Sequence, residues 1–71
     1  MKIFGERLKE IREESKLTQT EFAKVFGTSK SNINKWESGV HAPNLETVVR
    51  LAVFFKVPTD YLLGLMKYED L

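Results

Sequence analysis

Gly27 is the residue that most restricts what this chain can fold into. It separates two short stretches of helical apolar spacing, with only Thr28 and one or two neighbours beside it in the connection. Upstream, Thr18 and Glu21 form a capping-box pattern, in which a hydroxyl and a carboxylate reciprocally satisfy exposed backbone N–H groups. The helix begun there runs from Gln19 to Phe26 and buries Phe22, Ala23 and Phe26. Glycine then stops it, because the left-handed conformation costs glycine little. Downstream, a second segment starts near Thr28 or Ser29 and reaches about Glu37; either hydroxyl can cap it. Its apolar positions, Ile33 and Trp36, lie three apart and share one face. Ser29, Lys30, Ser31, Asn32, Asn34 and Lys35 make the rest of this helix polar.

Three more helices are expected around this pair. The first spans about Lys2 to Ser15, with Phe4, Leu8 and Ile11 at i, i+4 and i+7 and charges over much of the remainder. Leu17 anchors the turn that follows. After a loop through Val40, His41, Ala42 and Pro43, a fourth helix runs from about Asn44, its N-cap, to Phe55. Leu45, Val48, Leu51, Ala52 and Phe55 form its expected buried stripe. Val57-Pro58-Thr59 is the next break, and Thr59 is the expected cap of a short fifth helix from Asp60 to about Leu65. Leu62, Leu63 and Tyr61 would close the bottom of the core.

These elements fill one domain, residues 1–71, with 65–71 as a tail. At 71 residues, the chain is near the lower limit for a single core without a staple, and it has no cysteine to supply a disulfide or a thiolate-held zinc. A hydrophobic content of 42% with two prolines and four glycines indicates a folded chain. The apolar runs, Leu51 to Phe55 and Tyr61 to Leu65, are too short to span a bilayer, and the start lacks the apolar stretch of a signal peptide. A cytoplasmic location and no membrane partner are therefore expected. One histidine, His41, can build neither a metal site nor a catalytic triad, and Glu10, Glu13 and Glu14 read as solvated surface charge. No catalytic residue, metal, cofactor or small-molecule ligand is implied, and the chain is not expected to be an enzyme.

The net charge of +1 says little about partners, but its distribution says more. No acid falls between Phe22 and Trp36, while Lys24, Lys30 and Lys35 do. Two helices joined by a glycine-led turn have the helix-turn-helix arrangement, whose second helix enters the major groove of DNA. Ser29, Lys30, Ser31 and Lys35 can donate to phosphates or base edges. Asn32 and Asn34 both donate and accept, as adenine recognition requires. The N-termini of both helices, Thr28 included, offer unpaired N–H groups to a phosphate.

From Phe4 to Gly64 the chain resembles the Cro/repressor-type helix-turn-helix family, the Xre-like transcriptional regulators. The resemblance rests on Leu8-Lys9-Glu10-Ile11-Arg12, Leu17-Thr18-Gln19-Thr20-Glu21-Phe22-Ala23, Gly27-Thr28-Ser29 and Ile33-Asn34-Lys35-Trp36-Glu37-Ser38-Gly39. It continues through Pro43-Asn44-Leu45, Leu51-Ala52 and Val57-Pro58-Thr59-Asp60-Tyr61-Leu62-Leu63-Gly64. It implies a compact, all-α, five-helix domain. It also implies that Lys30, Ser31 and Lys35 reach base edges, with Asn34 beside them. Gln19, Ser29 and Ser38 would hold phosphates, with Thr28 at the same helix start. Arg12 and Glu37 would pair across helices one and three, and Ala23 would be the small residue where helices two and three cross. Trp36 departs from the family's smaller aliphatic or tyrosine and is read here as core, on the face of Ile33. Lys35 stands where some relatives carry an amide or arginine.

The expected function is sequence-specific binding of double-stranded DNA by a transcriptional regulator, a repressor acting as a homodimer on a palindromic operator. The dimer surface is expected around Phe54, Phe55 and Val57, with Leu65, Met66 and Tyr68. The alternative is a protein-interaction module of the same fold, such as an antitoxin or small adaptor.

Overall fold

The computed structural model describes residues 2–71; Met1, included in the expected domain, lies outside the described residues. It contains α1 (Lys2–Glu14), α2 (Gln19–Phe26), α3 (Lys30–Ser38), α4 (Leu45–Phe55) and α5 (Thr59–Leu62), then a 3-10 turn at Tyr68–Asp70. No strand occurs among the described residues.

The helix starts are fixed by local side chains. Glu21 N–H donates to Thr18 Oγ1 at 3.1 Å and Thr18 N–H to Glu21 Oε1 at 2.9 Å, closing the capping box of α2. Of the two hydroxyls that could cap α3, Ser29 does so by accepting from Asn32 N–H at 3.1 Å. Asn44 Oδ1 accepts from Thr47 N–H at 2.9 Å and begins α4. The expected cap of α5 is corrected. Pro58 stands at the N-cap and Thr59 is already helical.

Helix ends follow a common pattern. Gly27 (φ +90°) and Gly39 (φ +81°) terminate α2 and α3 in the left-handed region. Lys16 (φ +59°) and Lys56 (φ +58°) do the same for α1 and α4 without being glycine. At Lys16, the N–H groups of Lys16 and Leu17 donate to Glu13 O and Arg12 O, and at Lys56 those of Lys56 and Val57 donate to Val53 O and Ala52 O. This is the Schellman arrangement, completed by an apolar residue just beyond the turn, and Leu17 and Val57 both pack against the core. Helix α5 ends the same way at Gly64 (φ +85°), with Leu65 N–H on Asp60 O. It therefore stops three residues short of the expected Leu65, which is exposed.

Phe4, Leu8, Phe22, Ile33, Leu51 and Leu62 are fully buried, so every helix contributes to one core. An aromatic cluster runs through it. Phe22 lies 5.1 Å from Phe55 and 5.6 Å from Phe26, and Trp36 meets Phe26 edge-on at 6.4 Å. Trp36 is buried among these rings. Leu45 is a correction: placed in the α4 stripe by its spacing, it is 79% exposed, because it sits in the first turn before α4 reaches the core. Phe55, Val57 and Met66, expected at a dimer surface, pack against the core, whereas Phe54, Leu65 and Tyr68 are exposed. The Arg7 guanidinium binds the carbonyls of Tyr61 and Met66 and stacks 4.6 Å over the Tyr61 ring, tying the C-terminal turn to α1.

Candidate nucleic-acid interface

The α2–α3 corner is a three-residue turn, Gly27 to Ser29, between two capped helices. Gly27 and Thr28 N–H both bond Ala23 O, which fixes the direction in which the chain leaves α2. Ala23 is buried on α2. Ile33 and Trp36 face inward, so Lys30, Ser31, Asn34 and Lys35 point outward and are all exposed. Helix geometry turns Ser31, Asn34 and Lys35 away from the Ile33–Trp36 stripe, whereas Lys30, three residues before Ile33, is exposed as the first residue of α3. The outward side of α3 carries two lysines, a hydroxyl and an amide without an acid among them.

The residues expected to hold phosphates surround this face. Ser29 and Ser38 are exposed and Thr28 and Gln19 half-buried. Ser29 Oγ is an acceptor for its own helix, which leaves its proton directed elsewhere. Ser38 Oγ donates at 3.3 Å to Lys35 O, a long bond that solvent or a ligand readily exchanges. His41 is exposed in the loop after α3, and its N–H donates to Lys35 O.

Behind the face sits a buried polar node. Arg12 Nε lies 2.7 Å from Glu37 Oε2 and Nη2 lies 3.1 Å from Oε1, a two-point fork with side chains only 9% and 3% exposed. Arg12 Nη1 also donates to Leu17 O at 2.7 Å. The hydrogen bond to Glu37 raises the Arg12 pKa against an opposing effect of burial, so the guanidinium stays charged. Gln19 Nε2 donates to Glu37 Oε1 at 3.1 Å. One carboxylate thus joins α1, α2 and α3.

Asn32 was noted in the sequence for its amide but not placed among the site residues. Its Nδ2 donates to Thr28 Oγ1 at 2.9 Å across the start of α3. Thr28 lies in the turn just before the Ser29 cap, so this contact comes from the path of the turn and ties it to the first turn of α3.

Residues 8–62 match the helix-turn-helix family. Among curated relatives, the HTH-type transcriptional activator BcrR of Enterococcus faecalis is 40% identical over 61 residues, 86% of this chain and 30% of that protein. The HTH-type transcriptional regulator ImmR of Bacillus subtilis is 37% identical, over 84% of this chain and 47% of its own length. The cryptic phage CTXphi transcriptional repressor RstR of Vibrio cholerae is 38% identical, over 79% and 50%. The chain thus spans half or less of the length of these three relatives. The chain belongs to the helix-turn-helix family. No helix among the described residues is long and apolar enough to cross a membrane.

Proposed function

We propose that this chain binds double-stranded DNA sequence-specifically, with α3 in the major groove, as the reading domain of a transcriptional repressor. The observation that carries this reading is the division of α3. Ile33 and Trp36 are buried, while Lys30, Ser31, Asn34 and Lys35 form an exposed, acid-free face behind a glycine corner. Lysine amines and the Asn34 amide suit guanine and adenine edges, and Ser31 suits either. Gln19, Thr28, Ser29 and Ser38 hold the flanking phosphates and fix the register. The chemistry needed is binding alone, so the domain is not an enzyme and takes no cofactor. It works in the cytoplasm, on nucleoid DNA.

One helix reads only a few base pairs, which favours a homodimer on a palindromic operator with half-site centres roughly 34 Å apart. Repression is preferred to activation because RstR is named as a repressor, although BcrR is named as an activator. Selection of bound duplexes from a random pool tests the reading. The expected result is a short palindromic motif, and a pool that enriches no sequence overturns it. On the enriched duplex, Lys35→Ala is expected to lower discrimination against a scrambled duplex. Gln19→Ala is expected to weaken binding to both.

A further inference from the structure

Glycine in a helix interior is destabilising relative to alanine, so Gly5 in the first turns of α1 calls for a reason. The reason lies on α3. A Cβ added at Gly5 would fall 2.5 Å from Glu37 O and 2.6 Å from Trp36 O, with Glu37 C at 2.9 Å. All three are backbone atoms, so no rotamer change relieves the clash. Helices α1 and α3 meet here backbone against backbone.

Two turns further along the same face of α1, Arg12 grips the Glu37 carboxylate. The two contacts are separated by about 10 Å along α1 and converge on the last turn of α3. A backbone stop at one end and a directional fork at the other fix how far the last turn of α3 stands from α1 and how that turn is oriented. Relieving the clash to an ordinary contact of 3.4 Å would move α3 by about 1 Å, twice the ~0.5 Å within which a binding constellation must be held.

We infer that Gly5 is a positioning residue for sequence discrimination: its bare Cα sets how α3 presents Lys30, Ser31, Asn34 and Lys35 to base edges. This rests on the proposed reading of α3. Phosphate contacts tolerate a small displacement better than base contacts, because charge attraction is long-ranged and hydrogen bonds to base edges are not.

The test compares wild type, Gly5→Ala and Val48→Ala, a core truncation on α4 outside this seat. Affinities are measured for the enriched duplex and a scrambled duplex at one salt concentration, alongside thermal melts. For Gly5→Ala, discrimination is expected to fall by at least about tenfold, with scrambled-duplex binding changed less than about threefold. Val48→Ala is expected to melt lower yet discriminate as wild type does. Undiminished discrimination in folded Gly5→Ala overturns the inference, as does an equal loss in Val48→Ala. If Gly5→Ala is unfolded, the same affinities are measured in the cold with trimethylamine N-oxide, which favours the compact state. A chain still unfolded there also overturns the inference, since Gly5 would then be a requirement of folding and nothing more. A wild type without discrimination overturns the reading of α3 and the inference together, and is thereby distinguished from failure of the inference alone.

Discussion

The junction of α1 with α3 and the face shared by α2 and α4 border the same core but are finished in opposite ways. At the junction, Gly5 lets two backbones touch, and the Arg12–Glu37 fork is buried with Gln19 bonded to it. On the other face, Val25, Val49, Val53 and Phe54 remain exposed around a groove of about 390 Å³. Arg50 lies along that groove, 4.5 Å over the Phe26 ring, and donates to Phe26 O at 3.2 Å. Apolar contact is non-directional and tolerates small slides, whereas a buried two-point ion pair accepts one geometry. The directional contacts are concentrated where a helix must be held in one pose.

The largest effect that bears on this contrast is expected from Arg12→Ala. It strands the Glu37 carboxylate in the interior and should cost about 3 kcal/mol in denaturant melts. A melt indistinguishable from wild type would break the contrast at its stronger side. Arg50→Ala removes a ring contact and one hydrogen bond from a side chain that solvent reaches. The expected cost is about 1 kcal/mol by the same measurement. A loss equal to that of Arg12→Ala would show the two regions to be equally directional.

Glu21→Gln acts through pH. The Glu21 carboxyl is held below the usual carboxylate range, first by the Thr18 backbone N–H and then by the Thr18 hydroxyl. Its contribution is therefore complete above its unfolded pKa and is lost as pH falls through the lowered folded value. Melts taken across the acid range should fall less steeply for Glu21→Gln, and parallel curves would refute the assignment. The raised pKa of Arg12 has the opposite sign. Its contribution is complete below the unfolded pKa and fades only at extreme alkaline pH, so the junction should show no such acid dependence from the arginine. Smallest of all is Val53→Ser. With Val53 72% exposed, the expected change in stability stays within ~0.5 kcal/mol. A clear loss would mean that the α2–α4 face is more tightly packed than its exposure indicates.

Local chemistry made much of the fold legible. Thr18 with Glu21, Asn44, Gly27 and Gly39 mark helix limits because each acts on backbone within a few residues of itself. The outward face of α3 was legible for the same kind of reason: with Ile33 and Trp36 on one buried face, Ser31, Asn34 and Lys35 turn away from it, and Lys30 is left at the exposed start of the helix. Periodicity failed at Leu45, since it identifies a face but not how far along the helix the core extends. It also failed beyond Leu62, where Gly64 turns the chain and the apolar Leu65 points to solvent.

Gly27 thus determined the helix-turn-helix corner from the sequence alone, because a left-handed turn between two capped segments is a property of residues adjacent in the chain. The sequence placed the ends of α1 and α4 to within a residue, but the left-handed turns at Lys16 and Lys56 that make those ends were decided only by tertiary structure. Lysine has no preference for the left-handed region, and the turns are held where Leu17 and Val57 reach the core. The use of Gly5 was likewise invisible in sequence, because the carbonyls of Trp36 and Glu37 that require it belong to another helix.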